Sequence, residues 1–332
     1  MDARKRVLSG HRPTGLLHLG HLVGALSNWI RMQDEFDCFY ALVDWHALTS
    51  DYAEPGRIGE YVLQTTADWI AAGLDPARST LFVQSDVKEH AEMHLLLSMV
   101  TPLPWLERVP TYKEQKQQLV DRDLNTYGFL GYPVLQAADI VLYRADLVPV
   151  GEDQLPHIEL TREIVRRFNS FYGDVLVEPE ARLTPIARLP GTDGRKMSKS
   201  YNNAVNLSDP PDVMKGKLLK MITDPARARR HDPGNPDVCP VFGVHRAFTP
   251  PERLREIDAG CRSAALGCVE CKTDLADRLR ERFEPFQEKR RELLGRPDLI
   301  RDVLADGARR ARAVASETLE RAREAMGLGR AR

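Results

Sequence analysis

Leu19, Leu22, Val23, Leu26 and Ile30 recur at helical spacing and predict a helix that opens near His18. Before it, Arg4 to Ser9 reads as a short buried strand around Val7 and Leu8. A loop from Gly10 to Gly15, carrying Pro13, joins the two. Compact apolar runs rich in β-formers follow at Phe39–Val43 and Leu81–Gln84. A third run, Ile140–Tyr143, fits a strand or part of a helix, because periodicity cannot separate the two over so short a stretch. Amphipathic helices are predicted between the runs, notably at Gly59–Ala72 and His90–Val100. Strands alternating with helices imply a parallel sheet with its ligand site at the carboxyl ends of the strands. After about residue 205 the strand signals fade, and Leu254–Ala265, Asp274–Leu294 and Asp298–Met326 read as helices. The pattern thus predicts an α/β fold with a Rossmann-type, parallel-sheet nucleotide-binding domain over residues 1–205. A helical domain is expected to follow over residues 206–332.

Length and charge narrow the function. With 332 residues the chain is long enough for two domains, each with its own core. Its formal net charge of −1 gives no global nucleic-acid footprint, so any RNA contact must come from a local basic patch. Lys215 to Arg230 is one candidate, where six cations face a single acid, Asp224. No apolar run approaches membrane-spanning length, so a soluble chain with no membrane partner is expected. Met1 to Arg6 is charged and lacks a following apolar stretch, which argues against a signal peptide and for a cytoplasmic location.

Two motifs carry chemistry. Strand, glycine-containing loop and helix start form a corner whose free backbone N–H groups and helix dipole favour an anion such as phosphate. His18-Leu19-Gly20-His21 sits on that corner, with Gly20 leaving room for close approach and two imidazoles able to donate to phosphate oxygens. The second motif is Lys196-Met197-Ser198-Lys199-Ser200, preceded by the turn-rich run from Pro190 to Arg195. Ammonium groups on such a loop can close over a developing polyphosphate charge and open again afterwards.

Together these strings match the two signatures of the class I aminoacyl-tRNA synthetases, and over nearly its whole length the chain resembles the bacterial tryptophanyl-tRNA synthetases. The resemblance extends to Tyr132-Pro133-Val134-Leu135-Gln136-Ala137-Ala138-Asp139-Ile140, to Val148 through Gln154, to His157 through Glu163, and to the carboxyl-terminal Ala313–Gly329. It implies that L-tryptophan is activated by ATP to tryptophanyl-adenylate and then transferred to tRNA(Trp). By resemblance His18, His21, Lys196 and Lys199 are catalytic. Arg12, Pro13, Thr14 and Gly20 lie along ATP, Gly151, Glu152 and Asp153 meet its ribose, and Leu189 meets adenine through its backbone. Met197, Ser198 and Ser200 complete the mobile loop, with Lys113 or Lys116 as a further cation. Asp139 would accept the indole N–H, framed by Tyr132, Gln136, Gln154 and His46. Gln136 and Arg12 stand where many relatives have methionine and glutamine. Mg²⁺ is expected on the phosphates, the helical part is expected to bind the anticodon, and a homodimer is expected to form through residues 87–150.

Cys239, Cys261, Cys268 and Cys271 crowd into one third of the chain and end in a Cys-x-x-Cys. In a reducing compartment such thiols point away from disulfides and toward metal. Their pattern is similar to that of a subset of tryptophanyl enzymes with a [4Fe–4S] cluster, differing by one residue in one interval. Tetrahedral Zn²⁺ and unligated thiols stay open as alternatives. Cys38, inside a strand-like run, reads as a small core residue. Other readings are a tyrosyl-tRNA synthetase, which shares the fold, and another nucleotidyltransferase such as a pantothenate synthetase-like ligase. The last is a catalytically silent tRNA-binding paralogue.

Overall fold

A computed structural model describes residues 4–110, 112, 123–183 and 189–329. Lys113 and Lys116 lie outside the described residues. Strand β1 (Arg6–His11) is followed by α1 (Leu19–His21), a π-helical turn at Leu22–Leu26, and α2 (Ser27–Met32). Next come β2 (Asp37–Leu42), α3 (Asp44–Asp51), α4 (Ile58–Ala72), β3 (Ser79–Val83), α5 (Glu89–Ser98) and α6 (Leu103–Glu107). Then follow α7 (Tyr127–Leu142), β4 (Leu147–Val150), α8 (Leu155–Tyr172) and β5 (Glu180–Leu183). The remainder is helical: α9 (Pro211–Lys220), α10 (Pro240–Phe248), α11 (Pro251–Arg262), α12 (Cys268–Leu294) and α13 (Pro297–Ala325).

The five strands form one parallel sheet in the order β3-β2-β1-β4-β5. Leu8 pairs with Phe39 and Tyr40 with Leu81, so the apolar runs lie side by side at the centre of the sheet. All but the first residue of β2 are buried, as expected for a parallel strand covered on both faces. Ile140–Tyr143, which fitted either element, is the end of α7, and Tyr143 caps that helix.

Internal contacts divide the chain into two compact units, each discontinuous in sequence. Unit 1 holds residues 1–14, 29–184 and 296–332; unit 2 holds residues 15–28 and 185–295. Unit 1 contains the whole sheet, and its terminal helix α13 lies directly on β3. Gly307 makes that approach possible: a Cβ there would come within 1.7 Å of the Leu81 carbonyl oxygen. Ala311, Ala315 and Ala322 continue the same buried stripe of small residues. Contacts therefore place α13 with the sheet, whereas sequence order alone groups it with the preceding helices. In unit 2, α9 and α10 both pack against the long α12, and Phe248 meets Phe283 within that core.

Candidate active site

Unit 2 holds the helix start of the phosphate-type corner. His18 sits at the start of the helical run in extended conformation, and its backbone N–H donates to His21 Nδ1 at 3.1 Å. The two imidazoles stack with centroids 3.6 Å apart. Gly20 suits this stack, since a Cβ there would lie 3.0 Å from the His18 ring and crowd it. The π-helical turn that follows is a distortion found often at functional sites. Lys199 reaches the same corner and donates from Nζ to the Gly15 carbonyl at 2.7 Å. Gly15 itself has φ +147°, a conformation that side chains rarely adopt.

Charge at the corner follows from these positions. Burial, reinforced by Lys199 and Lys196, pushes His18 down to about 4. Its ring is therefore neutral at pH 7 and carries one donor and one acceptor. The Nδ1 atom of His18 is buried with no hydrogen-bond partner among the described residues. A buried polar atom of this kind invites a ligand.

The Lys196–Ser200 loop is anchored at its base. The Met197 N–H donates to the Leu189 carbonyl at 2.9 Å, and the Met197 side chain is buried. Asn203, which sequence reading missed, ties the loop together. Its Oδ1 accepts from the Ser198 N–H, while its Nδ2 donates to Asp193 and to the Lys196 carbonyl. Gly191 leaves room for that amide, since a Cβ there would lie 2.3 Å from Asn203 Cγ. Its position just after the motif was the one available signal.

In unit 1 the candidate tryptophan residues surround a buried carboxylate. Asp139 accepts from Gln84 Nε2 at 2.7 and 2.9 Å, meets His90 Nδ1 at 2.6 Å, and meets His46 Nε2 at 3.0 Å. Burial alone would raise its pKa, but the charges and hydrogen bonds of His90 and His46 outweigh this and hold it below the usual carboxylate range. His90 Nε2 is in turn 2.7 Å from the Tyr143 hydroxyl. Tyr132 lies beside His46, and its hydroxyl is 3.1 Å from His157 Nε2. Burial, then the charge of His46, lowers His157 to about 4. Gln84, His90 and His157 are the members of this network that sequence reading did not pick out as site residues. Gln84 directly follows β3 and His46 lies just beyond β2, so the carboxylate stands at the carboxyl ends of the strands.

Other expected residues fall nearby or are otherwise occupied. Gln136 is half-buried on α7, and Gly151 through Gln154 form a short turn after β4, where Gln154 donates to Asp153. The Arg12 guanidinium is engaged by Asp51 at 3.6 Å and by the Ser50 hydroxyl. Within unit 2, Lys217, Arg227 and Arg230 of the basic stretch are bound to Asp209, to Leu266 and to the carbonyls of Ala264 and Ala265. Half of that stretch therefore stabilises unit 2 instead of forming a free cationic face.

The four clustered cysteines are neighbours in unit 2. Burial pushes Cys271 up to about 12, and Cys239, Cys261 and Cys268 add to the rise electrostatically. Cys271 Sγ is 3.4 Å from His245 Nε2, and Arg227 donates to Cys261 Sγ at 3.8 Å. The donor set suits a soft metal centre, but no group of three or more His, Cys, Asp or Glu among the described residues is arranged to hold a metal. Cys38 is fully buried in β2, where burial pushes its thiol up to about 11. None of the helices in the described residues is long and apolar enough to cross a membrane.

Comparison with known proteins agrees with this layout. The family model of the class I tRNA synthetases (W and Y) matches residues 2–284. A tryptophan–tRNA ligase of Thermotoga maritima is 52% identical, covering 97% of this chain and 99% of its own length. One from Ralstonia nicotianae is 43% identical over 98% of each chain. Among solved structures, the tryptophanyl-tRNA synthetase of Campylobacter jejuni complexed with ADP and tryptophan is 33% identical, with a TM-score of 0.90 over 97% of this chain and 100% of that one. A tyrosyl-tRNA synthetase of Archaeoglobus fulgidus is 22% identical at a TM-score of 0.67 and shares the fold alone.

Proposed function

The chain belongs to the bacterial tryptophanyl-tRNA synthetases of class I, and from that premise we propose how its residues divide the work of a tryptophan–tRNA ligase. The reaction joins L-tryptophan to tRNA(Trp) in two steps. The tryptophan carboxylate attacks the α-phosphate of ATP and expels pyrophosphate, leaving tryptophanyl-adenylate. The terminal ribose hydroxyl of the tRNA then attacks the activated carbonyl. No protein nucleophile is needed, so positioning and charge stabilisation carry the rate.

Unit 2 supplies the phosphate side. His18, as a neutral imidazole, and His21 bind the triphosphate, with Gly20 giving it access to the backbone. Lys196 and Lys199 meet the pyrophosphate as its charge develops, on a loop completed by Met197, Ser198 and Ser200. Leu189 offers its backbone to adenine; Pro13, Thr14 and Gly151 through Asp153, which belong to unit 1, are assigned to the nucleotide by the family resemblance. Mg²⁺ is carried on the phosphates, held mainly by substrate oxygens and water.

Unit 1 supplies the amino-acid side. Gln84, His90 and His46 already fill the acceptor positions of Asp139. An incoming indole N–H therefore takes the place of one donor. His46 is the one that yields, because its side chain is 10% exposed whereas that of His90 is fully buried. Tyr132, Gln136 and Gln154 complete the pocket.

Three finer assignments belong to the same reading. Leu95, Met99, Leu103 and Tyr127 are exposed apolar side chains within residues 87–150, and we assign them to a homodimer interface. The helical segment after residue 205 takes the anticodon. Cys239, Cys261, Cys268 and Cys271 close around a [4Fe–4S] cluster, with Zn²⁺ as the alternative occupant. The protein acts in the cytoplasm.

The observation that carries the reading is the 52% identity with a tryptophan–tRNA ligase across nearly the whole chain; His18, Gly20, His21, Lys196 and Lys199 of this chain also fall in one compact unit. ATP–pyrophosphate exchange tests it. Exchange should depend on tryptophan and be at least about 10²-fold weaker with tyrosine. Equal or greater exchange with tyrosine would make the chain a tyrosyl enzyme, and none with either would make it a silent paralogue.

A further inference from the structure

We propose that a cavity at the amino ends of the strands in unit 1 binds a small phosphate-rich anion of the di- or triphosphate class. The cavity has a volume of about 580 Å³, within the range of small-molecule sites. Arg4, Lys5, Arg6, Arg78 and Arg144 line it, against two carboxylates, Asp37 and Asp146. These residues come from the leading ends of four adjacent strands. Residues 4–6 run into β1, Asp37 opens β2, Arg78 precedes β3, and Arg144 and Asp146 join α7 to β4. The candidate tryptophan pocket lies at the opposite, carboxyl ends of the strands, so this cavity is not part of it.

The charges are unevenly satisfied. Both lining carboxylates are turned to Arg6: Asp146 accepts its backbone N–H at 2.7 Å, and Asp37 lies 3.5 Å from its guanidinium. Arg78 is paired with Asp34. Among the described residues, the side chains of Arg4, Lys5 and Arg144 have no ion-pair or hydrogen-bond partner. Cations gathered in one concavity repel one another, and a multiply charged anion relieves that repulsion at several of them together. Arginine forks also match phosphate oxygens in geometry, which a lone chloride cannot exploit.

Arg144 closes α7 in a common helix-ending turn, with the Ala145 N–H donating to the Ile140 carbonyl at 3.4 Å. The Arg144 backbone has φ 50°, a left-handed conformation that glycine adopts at lower cost. The turn nevertheless carries an arginine, and that residue lines the cavity. Four strand ends wall the space, which favours a compact anion over an extended nucleic-acid backbone.

The test is calorimetric titration of the full-length chain with inorganic tripolyphosphate, alongside ATP–pyrophosphate exchange. Wild type is compared with Arg4→Ala/Arg144→Gly and with Arg144→Gly alone. The double variant should lose one tripolyphosphate per chain, or bind it at least tenfold more weakly, while exchange stays within twofold of wild type. Arg144→Gly relaxes the backbone while removing one cation, so its several-fold weakening is free of any folding defect in the double variant. Superimposable isotherms for wild type and both variants would overturn the assignment. It would fall equally if those isotherms coincided while affinity for tRNA dropped, because the cavity would then meet an RNA backbone.

Discussion

Lys199 reaches across to Gly15 and hydrogen-bonds its carbonyl at 2.7 Å, joining the two signature segments within unit 2. The ammonium is parked on the protein by a bond that a phosphate oxygen can replace. In the proposed reading, that charge is the one that meets the departing pyrophosphate. Lys196→Ala or Lys199→Ala should lower the rate of adenylate formation by about 10²-fold or more, with a much smaller change in ATP affinity. Rapid-quench measurement of adenylate formation, with ATP binding measured separately, distinguishes this from a ground-state role. A raised ATP KM with intact kcat would remove the lysines from transition-state stabilisation.

Asp139 should be essential in two ways. Asp139→Ala removes the acceptor proposed for the indole and should reduce tryptophan-dependent exchange by roughly 10²-fold or more. It also strands Gln84, His90 and His46, three donors that now converge on one buried carboxylate. Unfolding stability should therefore fall by about 3 kcal/mol, as for a buried pair that loses one partner. Urea denaturation measures the second effect and exchange kinetics the first. Unchanged kcat/KM for tryptophan in a folded variant would take Asp139 out of the pocket.

His18 predicts a pH dependence with a definite sign. Burial is the larger cause of its fall to about 4, and Lys199 and Lys196 add to it. Between pH 6.5 and about 4 the unfolded chain binds a proton that folded His18 refuses, so stability is lost as pH falls through that window. His157, also lowered to about 4, acts in the same direction. Lys199→Ala should lift the His18 midpoint, since a repelling cation is gone, yet leave it below 6.5 because the burial remains. NMR titration of the His18 ring reads this directly. A wild-type midpoint near 6.5 would mean that His18 is solvated.

Much of the sheet and most helices were legible because their apolar residues repeat at short range. Leu8, Phe39 and Leu81 mark their strands plainly, and the amphipathic period marks α4, α12 and α13. Strand β5 could not be read, because Glu180–Leu183 is largely exposed or half-buried and carries no apolar signature. His18, Lys199 and Asp139 were legible through motifs. The partners of Asp139 were not, since Gln84 and His90 lie 55 and 49 residues away and only the fold assembles them.

Gly307 is a further position that local pattern could not flag. It reads as an ordinary glycine in a helical stretch, but in the fold α13 presses it against the Leu81 backbone. Backbone cannot give way as a flexible side chain can. Gly307→Ala should therefore destabilise the protein by about 2–3 kcal/mol or more, despite alanine's better helix propensity. Thermal unfolding checks this, and a variant as stable as wild type would show that α13 can slide on β3.

The cysteine assignment makes the last prediction. Cys239 caps α10, Cys268 opens α12 and Cys271 lies one turn later, so three of the four sulfurs are placed by helix starts. Positive helix ends favour thiolates, and so does Arg227 beside Cys261, although burial opposes ionisation at Cys261 and Cys271. A cation is the remaining ingredient that would hold four such sulfurs together, and its binding should be coupled to folding of that part of unit 2. Anaerobically purified protein should be brown, absorb broadly near ~400 nm and contain about four irons per chain. Colourless protein with about one zinc per chain would favour the alternative metal. Cys268→Ser should abolish the colour and chiefly impair tRNA charging, while tryptophan-dependent exchange is retained. Four freely titrating thiols in native, metal-free protein that charges tRNA normally would defeat both metals.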